Sequence, residues 1–152
     1  MENNRLQLTV TEDELAAFIG GKAQKYLLKF RKFSVDGIDR FSATWHWPAF
    51  IVGFWWLLYR KMYLWAFVYF ILLIIPYANV LAWITLAISG HYLYYRYAKG
   101  KILMVKTLKP SGDILKTLSE LGGVNKWVPV VGIIVSIAAF FMFVSGLILS
   151  AC

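Results

Sequence analysis

The sequence predicts an all-α integral membrane protein, and three observations carry that prediction. No acidic residue occurs between Phe41 and Gly112, and Met62–Tyr95 has no charge of either sign. Trp127–Cys152 is also uncharged, and as a helix it is long enough to cross a hydrocarbon core of about 30 Å. The 152 residues are 60% hydrophobic and 18% aromatic, above the roughly half-apolar make-up of soluble domains. Apolar runs of this length do not fit a soluble core.

The net charge is +8, from 16 basic and 8 acidic residues. The bases flank apolar segments instead of forming an aromatic-studded soluble patch. They therefore read as topology signal and as attraction to anionic headgroups, not as nucleic-acid binding. The single cysteine, Cys152, excludes an internal disulfide or a thiolate metal cluster within one chain. The opening MENNRLQLTVTEDEL has no basic n-region and no apolar h-region, so no cleavable signal peptide is expected.

Residues 1–10 read as a loose tail. Thr11 followed by Glu12, Asp13 and Glu14 is a helix cap with acids at the positive end of the helix dipole. The helix runs either unbroken to about Phe33 or as two helices turning at Gly20-Gly21. Tyr26, Leu27, Phe30 and Phe33 share one face, and Lys22, Lys25, Lys29, Arg31 and Lys32 cover much of the rest. Such a helix packs on the protein's own apolar part or lies on an anionic leaflet. SVDGIDRFSAT (34–44) is a polar turn. WHWPAFIVGFWWLLY (45–59) follows, with four tryptophans that favour the headgroup level and Pro48 in a first helical turn.

As one helix, Met62–Tyr95 would be about 50 Å long. Pro76-Tyr77-Ala78-Asn79 divides it into a hairpin of roughly 62–75 and 79–97, with a single helix kinked at Pro76 as the alternative. The first arm is short for a span, and Arg60 and Lys61 are expected to snorkel to the surface. Beyond Arg96 the chain is basic and polar, and Pro110-Ser111-Gly112 breaks it. DILKTLSELGG then gives a short amphipathic helix, with Ile114, Leu115, Leu118 and Leu121 on one face and Gly122-Gly123 as its stop. In the last segment Gly132, Ser136, Ser145 and Gly146 are small residues where another helix can approach.

Four regions are therefore expected. They are a cytoplasmic amphipathic helical region (1–40), a membrane region (41–109) holding an interfacial or re-entrant segment and the hairpin, a cytoplasmic connector helix (110–126) and a C-terminal transmembrane helix (127–152). The positive-inside rule places Arg96, Lys99, Lys101, Lys106, Lys109, Lys116 and Lys126 in the cytoplasm. Arg60-Lys61 joins them only if 45–59 enters and leaves from that same side. The expected orientation is N-terminus in and C-terminus out.

WPAFIVGFWWLLYRKMY (47–63) resembles the signature of a bacterial family defined only as a domain of unknown function, DUF2628, through Gly53, Trp56, Tyr59, Arg60, Lys61 and Met62. FIGGKAQKYLLKFRKF (18–33) is similar to that family's upstream helix, and GHYLYYRYAKGKI (90–102) to the end of its downstream one. Together the matches cover Phe18 to about Gly123. The chain departs from the pattern in having His91 where asparagine is usual, and in its final apolar segment. The resemblance implies a small helical inner-membrane protein and no activity.

Tyr59-Arg60-Lys61-Met62 and Tyr94-Tyr95-Arg96 fall where helices meet the surface. They read as interface anchors or as an anionic-lipid or partner-carboxylate site built from Arg60, Lys61 and Arg96, with Lys99, Trp55 and Trp56 beside them. His46 and His91 are the only histidines and could in principle ligate haem as a pair. Leu149-Ser150-Ala151-Cys152 matches a lipobox, but such a cysteine normally begins a mature protein, so the match reads as chance or as a free thiol. All eight acids lie outside the apolar runs, which argues against an ion-coupled transporter. No phosphate loop, Ser/His/Asp set or His-x-x-His spacing occurs.

These features lead to the expectation of a non-catalytic accessory or scaffold subunit without a cofactor. It would dock a larger membrane complex and bind anionic lipid. The alternatives are a small homo-oligomeric channel or lipid-perturbing protein, and a bis-histidine haem electron carrier.

Overall fold

A long helix near the middle of the chain organises everything else. The computed structural model describes residues 9–35, 38–108 and 113–151, with side chains placed outside 34–38 and 147–151. Seven helices and one two-stranded ladder are present among these residues: α1 Glu12–Ile19, α2 Ala23–Phe30, β1 Ser34–Val35, β2 Ile38–Asp39, α3 Trp47–Tyr59, α4 Tyr63–Ile74, α5 Ala78–Leu108, α6 Ile114–Leu121 and α7 Trp127–Ala151. The N-terminal tail, the Pro110-Ser111-Gly112 break and Cys152 lie outside the described residues.

The N-terminal stretch is two helices, not one. Thr11 and Glu14 form a reciprocal capping box: Thr11 Oγ1 accepts from Glu14 N at 3.3 Å, and Glu14 Oε2 from Thr11 N at 2.8 Å. Gly20, at φ 78°, ends α1 in a conformation that disfavours a side chain. The apolar face of α2 packs on α5, where Tyr26 and Phe30 meet Tyr94 at ring distances of 5.3 and 6.0 Å. Residues 34–39 form a minimal antiparallel ladder, Ser34 opposite Asp39, where the sequence had suggested only a turn.

The path of residues 39–61 is unusual. Its start lies beside the basic half of α5, with Tyr95 Oη and Lys99 Nζ donating to Asp39. It then runs down α5 toward that helix's N-terminal end: Phe41 packs on Tyr92, Thr44 N donates to Ile88 O, and His46 N donates to Ala87 O. Phe50 stacks on Trp83, whose Nε1 donates to the Phe50 carbonyl. At Val52 the helical dihedrals break (φ −124°, ψ 28°). The chain then returns, and Tyr97 Oη donates to the Lys61 carbonyl at 2.9 Å. Both ends of this segment therefore sit at the same end of α5.

Arg60-Lys61 makes the tight turn into α4, with Lys61 at φ 59°. Pro76-Tyr77 reverses the chain into α5, so the run is a hairpin and not one kinked helix. α5 continues to Leu108, well beyond the hairpin arm ending near 97 that the sequence suggested.

Three short helices (α1, α2 and α6) cap the C-terminal half of α5. Lys106 pairs with Glu14 at 2.7 Å between largely buried side chains. Leu118 is fully buried, whereas Leu115 and Leu121, expected on the same packed face, are about half exposed. Gly122 is where α6 meets α1: a Cβ there would stand 1.9 Å from the Phe18 carbonyl oxygen, and Gly123 N donates to that oxygen at 2.7 Å. Among the described helices one is long and apolar enough to cross a membrane, over Trp127–Gly146, with a mean hydropathy of 2.5.

Gly122→Ala should force the α1–α6 backbones apart and destabilise the cap by on the order of 2 kcal/mol or more. Gly21→Ala, which meets open space, should change thermal unfolding little. Equal melting temperatures for the two variants would refute the tight joint.

Candidate functional site

Arg60 is the most unusual side chain in the structure. It is 3% exposed, and no carboxylate lies within ion-pairing distance of it among the described residues. Its guanidinium lies over the Tyr26 ring at 4.3 Å and over Tyr94 at 4.8 Å, with Tyr59 at 5.8 Å. Nη1 donates to Tyr94 Oη at 3.3 Å and to the Ile19 carbonyl at 3.4 Å, while Nε is buried without a partner. Cation–π contacts of this kind contribute on the order of 1 kcal/mol each, whereas burying a charge costs several. The rings therefore offset the burial of this cation only in part.

Beside Arg60 a groove of about 540 Å³ opens between α3 and α7. Lys22, Tyr26, Tyr59 and Arg60 line its head, and Val52, Trp55, Gly132 and Ile137 are among the residues lining its length. The final helix is held there at its start. Asn125 N donates to the Tyr59 carbonyl at 2.9 Å, and its Nδ2 donates to Leu58 O and Tyr63 Oη. Gly132 faces the Trp55 ring, which a Cβ would meet at an ordinary 3.5 Å.

The other sequence-selected residues are dispersed. Lys61 Nζ donates to the Gly122 and Leu121 carbonyls, at 2.5 and 3.4 Å, and so caps the negative end of α6. Lys99 pairs with Asp39 at 2.8 Å. Arg96 is exposed and, two residues beyond Tyr94, lies on a different face of α5 from Arg60. Arg60, Lys61 and Arg96 thus do not form one site, and Arg60 is buried where snorkelling was expected. Trp56 is buried against His46, and Trp55 is half-buried. Ser136 Oγ donates to its own helix at Gly132 O, and Gly146 faces open space.

His46 caps α3, its Nδ1 accepting from Ala49 N at 3.0 Å, and its Nε2 lies 3.4 Å from Tyr26 Oη. His91 Nδ1 lies 3.2 Å from Thr44 Oγ1. The two imidazoles touch, with centroids 4.1 Å apart, and this arrangement leaves no gap between them for a porphyrin.

A family model described as "Protein of unknown function (DUF2628)" matches residues 12–107, and the chain belongs to that family. No curated protein and no solved structure matches it. α6 and α7 lie outside the matched region. Within it, the signature residues have structural roles. Gly53 leaves room for the Tyr69 hydroxyl, 2.8 Å from where a Cβ would stand, and Met62 is fully buried. Gly90 likewise admits Ala49, whose Cβ would be 3.2 Å away. What sequence reasoning missed is that Tyr26 lies under Arg60 and that Lys22 lines the same groove, for which spacing along the chain carries no signal.

Burial works to raise the Asp39 carboxyl, but hydrogen bonds from Lys99 and Tyr95 outweigh it and hold its pKa below the ordinary 3.8. The stability this gives is fully present above the ordinary value and is lost as pH falls through the lower folded one. Asp39→Asn should therefore lower the melting temperature on the order of 2 °C at pH 7. The difference from wild type should shrink as pH falls below 3.8, and a difference independent of pH would refute this assignment.

Proposed function

We propose that the protein is a non-catalytic, multi-pass membrane protein, an accessory or scaffold subunit that binds anionic lipid and docks a larger membrane complex. The observation that carries this reading is the separation of charge from apolar surface. Large apolar side chains stand exposed along α4, the start of α5 and α7, among them Leu64 (73%), Leu81 (68%) and Phe143 (66%). Apolar exposure on that scale marks a lipid or protein contact surface. The cationic side chains of α2, the second half of α5 and α6 all gather in the cap, and α4 and α7 have none.

In this reading the cap lies in the cytoplasm of a bacterial cell, following the positive-inside rule. The course of 39–61 supports a segment that enters and leaves from that face. α7, about 37 Å long, crosses the bilayer and carries the C-terminus out. α4 is about 18 Å long and reaches the far headgroups only where the bilayer thins around it. A channel is the weaker reading: of the polar residues Thr85, Ser89, Ser136 and Ser145 within the apolar helices, the three serine hydroxyls bond to carbonyls of their own helices and need no polar lumen to satisfy them.

Mass spectrometry of the tagged protein, gently extracted from its host with native lipid, should find a stoichiometric membrane partner and anionic lipid. A bare homo-oligomer would overturn the accessory reading. For topology, a cysteine at 61 should label only from the cytoplasm and one at 78 only from outside. Labelling of 61 from outside would end the re-entrant reading.

A further inference from the structure

We propose that the α3–α7 groove is a specific site for one anionic phospholipid, with its phosphate at Arg60 and Lys22 and one acyl chain lying between the two helices. The inference rests on the membrane reading above and names the site through which lipid is held.

Two independent observations meet at this groove. The first is the unneutralised cation at its head. Arg60 is almost wholly buried, lacks a carboxylate partner among the described residues, and makes both its hydrogen bonds through Nη1. A guanidinium cannot shed its proton to relieve burial, and buried charges are ordinarily paired. With Nη1 spent on Tyr94 and Ile19 and Nε buried, a phosphate is met through Nη2, and Lys22 adds a second positive charge at the same end.

The second observation is the groove's shape and chemistry. From Val128 to Ile137 it follows ten residues of α7, about 13 Å at helical rise. Its walls over that length are almost entirely apolar, and the one hydroxyl, Ser136, is satisfied within its helix. Cations at one end and hydrocarbon along the rest match an amphiphile lying along the bilayer normal, headgroup toward the cap. A second copy's helix would fill the apolar length but leave Arg60 and Lys22 without an anion, so charge complementarity selects the lipid.

Lipid carried by the protein from vesicles of phosphatidylcholine with a minority of phosphatidylglycerol is read by native mass spectrometry after flotation. The expected result is one phosphatidylglycerol retained per wild-type chain. Arg60→Gln should cut that retention about tenfold or more. Arg60→Gln also disturbs the aromatic cage, so two variants outside the cage complete the test. Lys22→Gln, at an exposed position, should weaken retention. Ser136→Trp should abolish it by filling the groove with both cations intact. Arg96→Gln, on another face, should leave it unchanged.

Equal loss in Arg96→Gln and Lys22→Gln would mean diffuse attraction to the cap and would overturn the site. Full retention in Ser136→Trp would do the same, as would a lipid-free dimer. If the wild type fails to float with vesicles at all, the membrane reading falls and takes the site with it. Flotation without a retained lipid sinks the site alone.

Discussion

The guanidinium of Arg60 is the point at which the chain's separate parts are tied together. It belongs to the turn between α3 and α4, bonds the last carbonyl of α1, lies on the ring of Tyr26 from α2 and is bonded by Tyr94 of α5. A cation held mainly by aromatic faces tolerates little displacement, because its attraction depends on rings being presented to it face-on. The cap is thus organised around a charge that no carboxylate among the described residues neutralises.

Around that centre the backbone does much of the joining. The strap from Asp39 to His46 fastens to α5 through main-chain bonds to Ala87 and Ile88. The return from α6 to α1 is made by glycine against a carbonyl. Lys61, in a left-handed conformation, offers its carbonyl to Tyr97 and its ammonium to the end of α6. Closely fitted backbones leave side chains free to face outward. This is consistent with large apolar residues remaining uncovered on α4 and α7.

Much of the helix plan was legible in the sequence because it depends on local signals. Thr11 and the acids after it announced a helix start, Pro76-Tyr77 a reversal, and Gly122-Gly123 a stop. The face of α2 followed from helical spacing. What was not legible was long-range pairing. Arg60 and Lys61 are adjacent and chemically alike, yet one is buried among rings and the other caps a helix. That difference depends on where Ile19, Tyr94 and Gly122 arrive in space. Lys99 likewise meets an aspartate sixty residues earlier, and no periodicity predicts that. The apolar face of α6 was overread, since Leu118 is buried and Ile114 packs on the core while Leu115 and Leu121 stay half exposed.

The joint between Phe18 and Gly123 links residues 105 positions apart. At synthesis rates of about 5–20 residues per second, the first helix waits roughly 5–20 s for its neighbour to be made. During that interval the apolar hairpin already exists, while the face of α1 that α6 will cover stays open. Other joints of α1, with Arg60 and Lys106, involve residues made earlier, so the contact with α6 is the one that must close last. Until the C-terminal third emerges, the nascent chain must keep that one face of α1 from other partners.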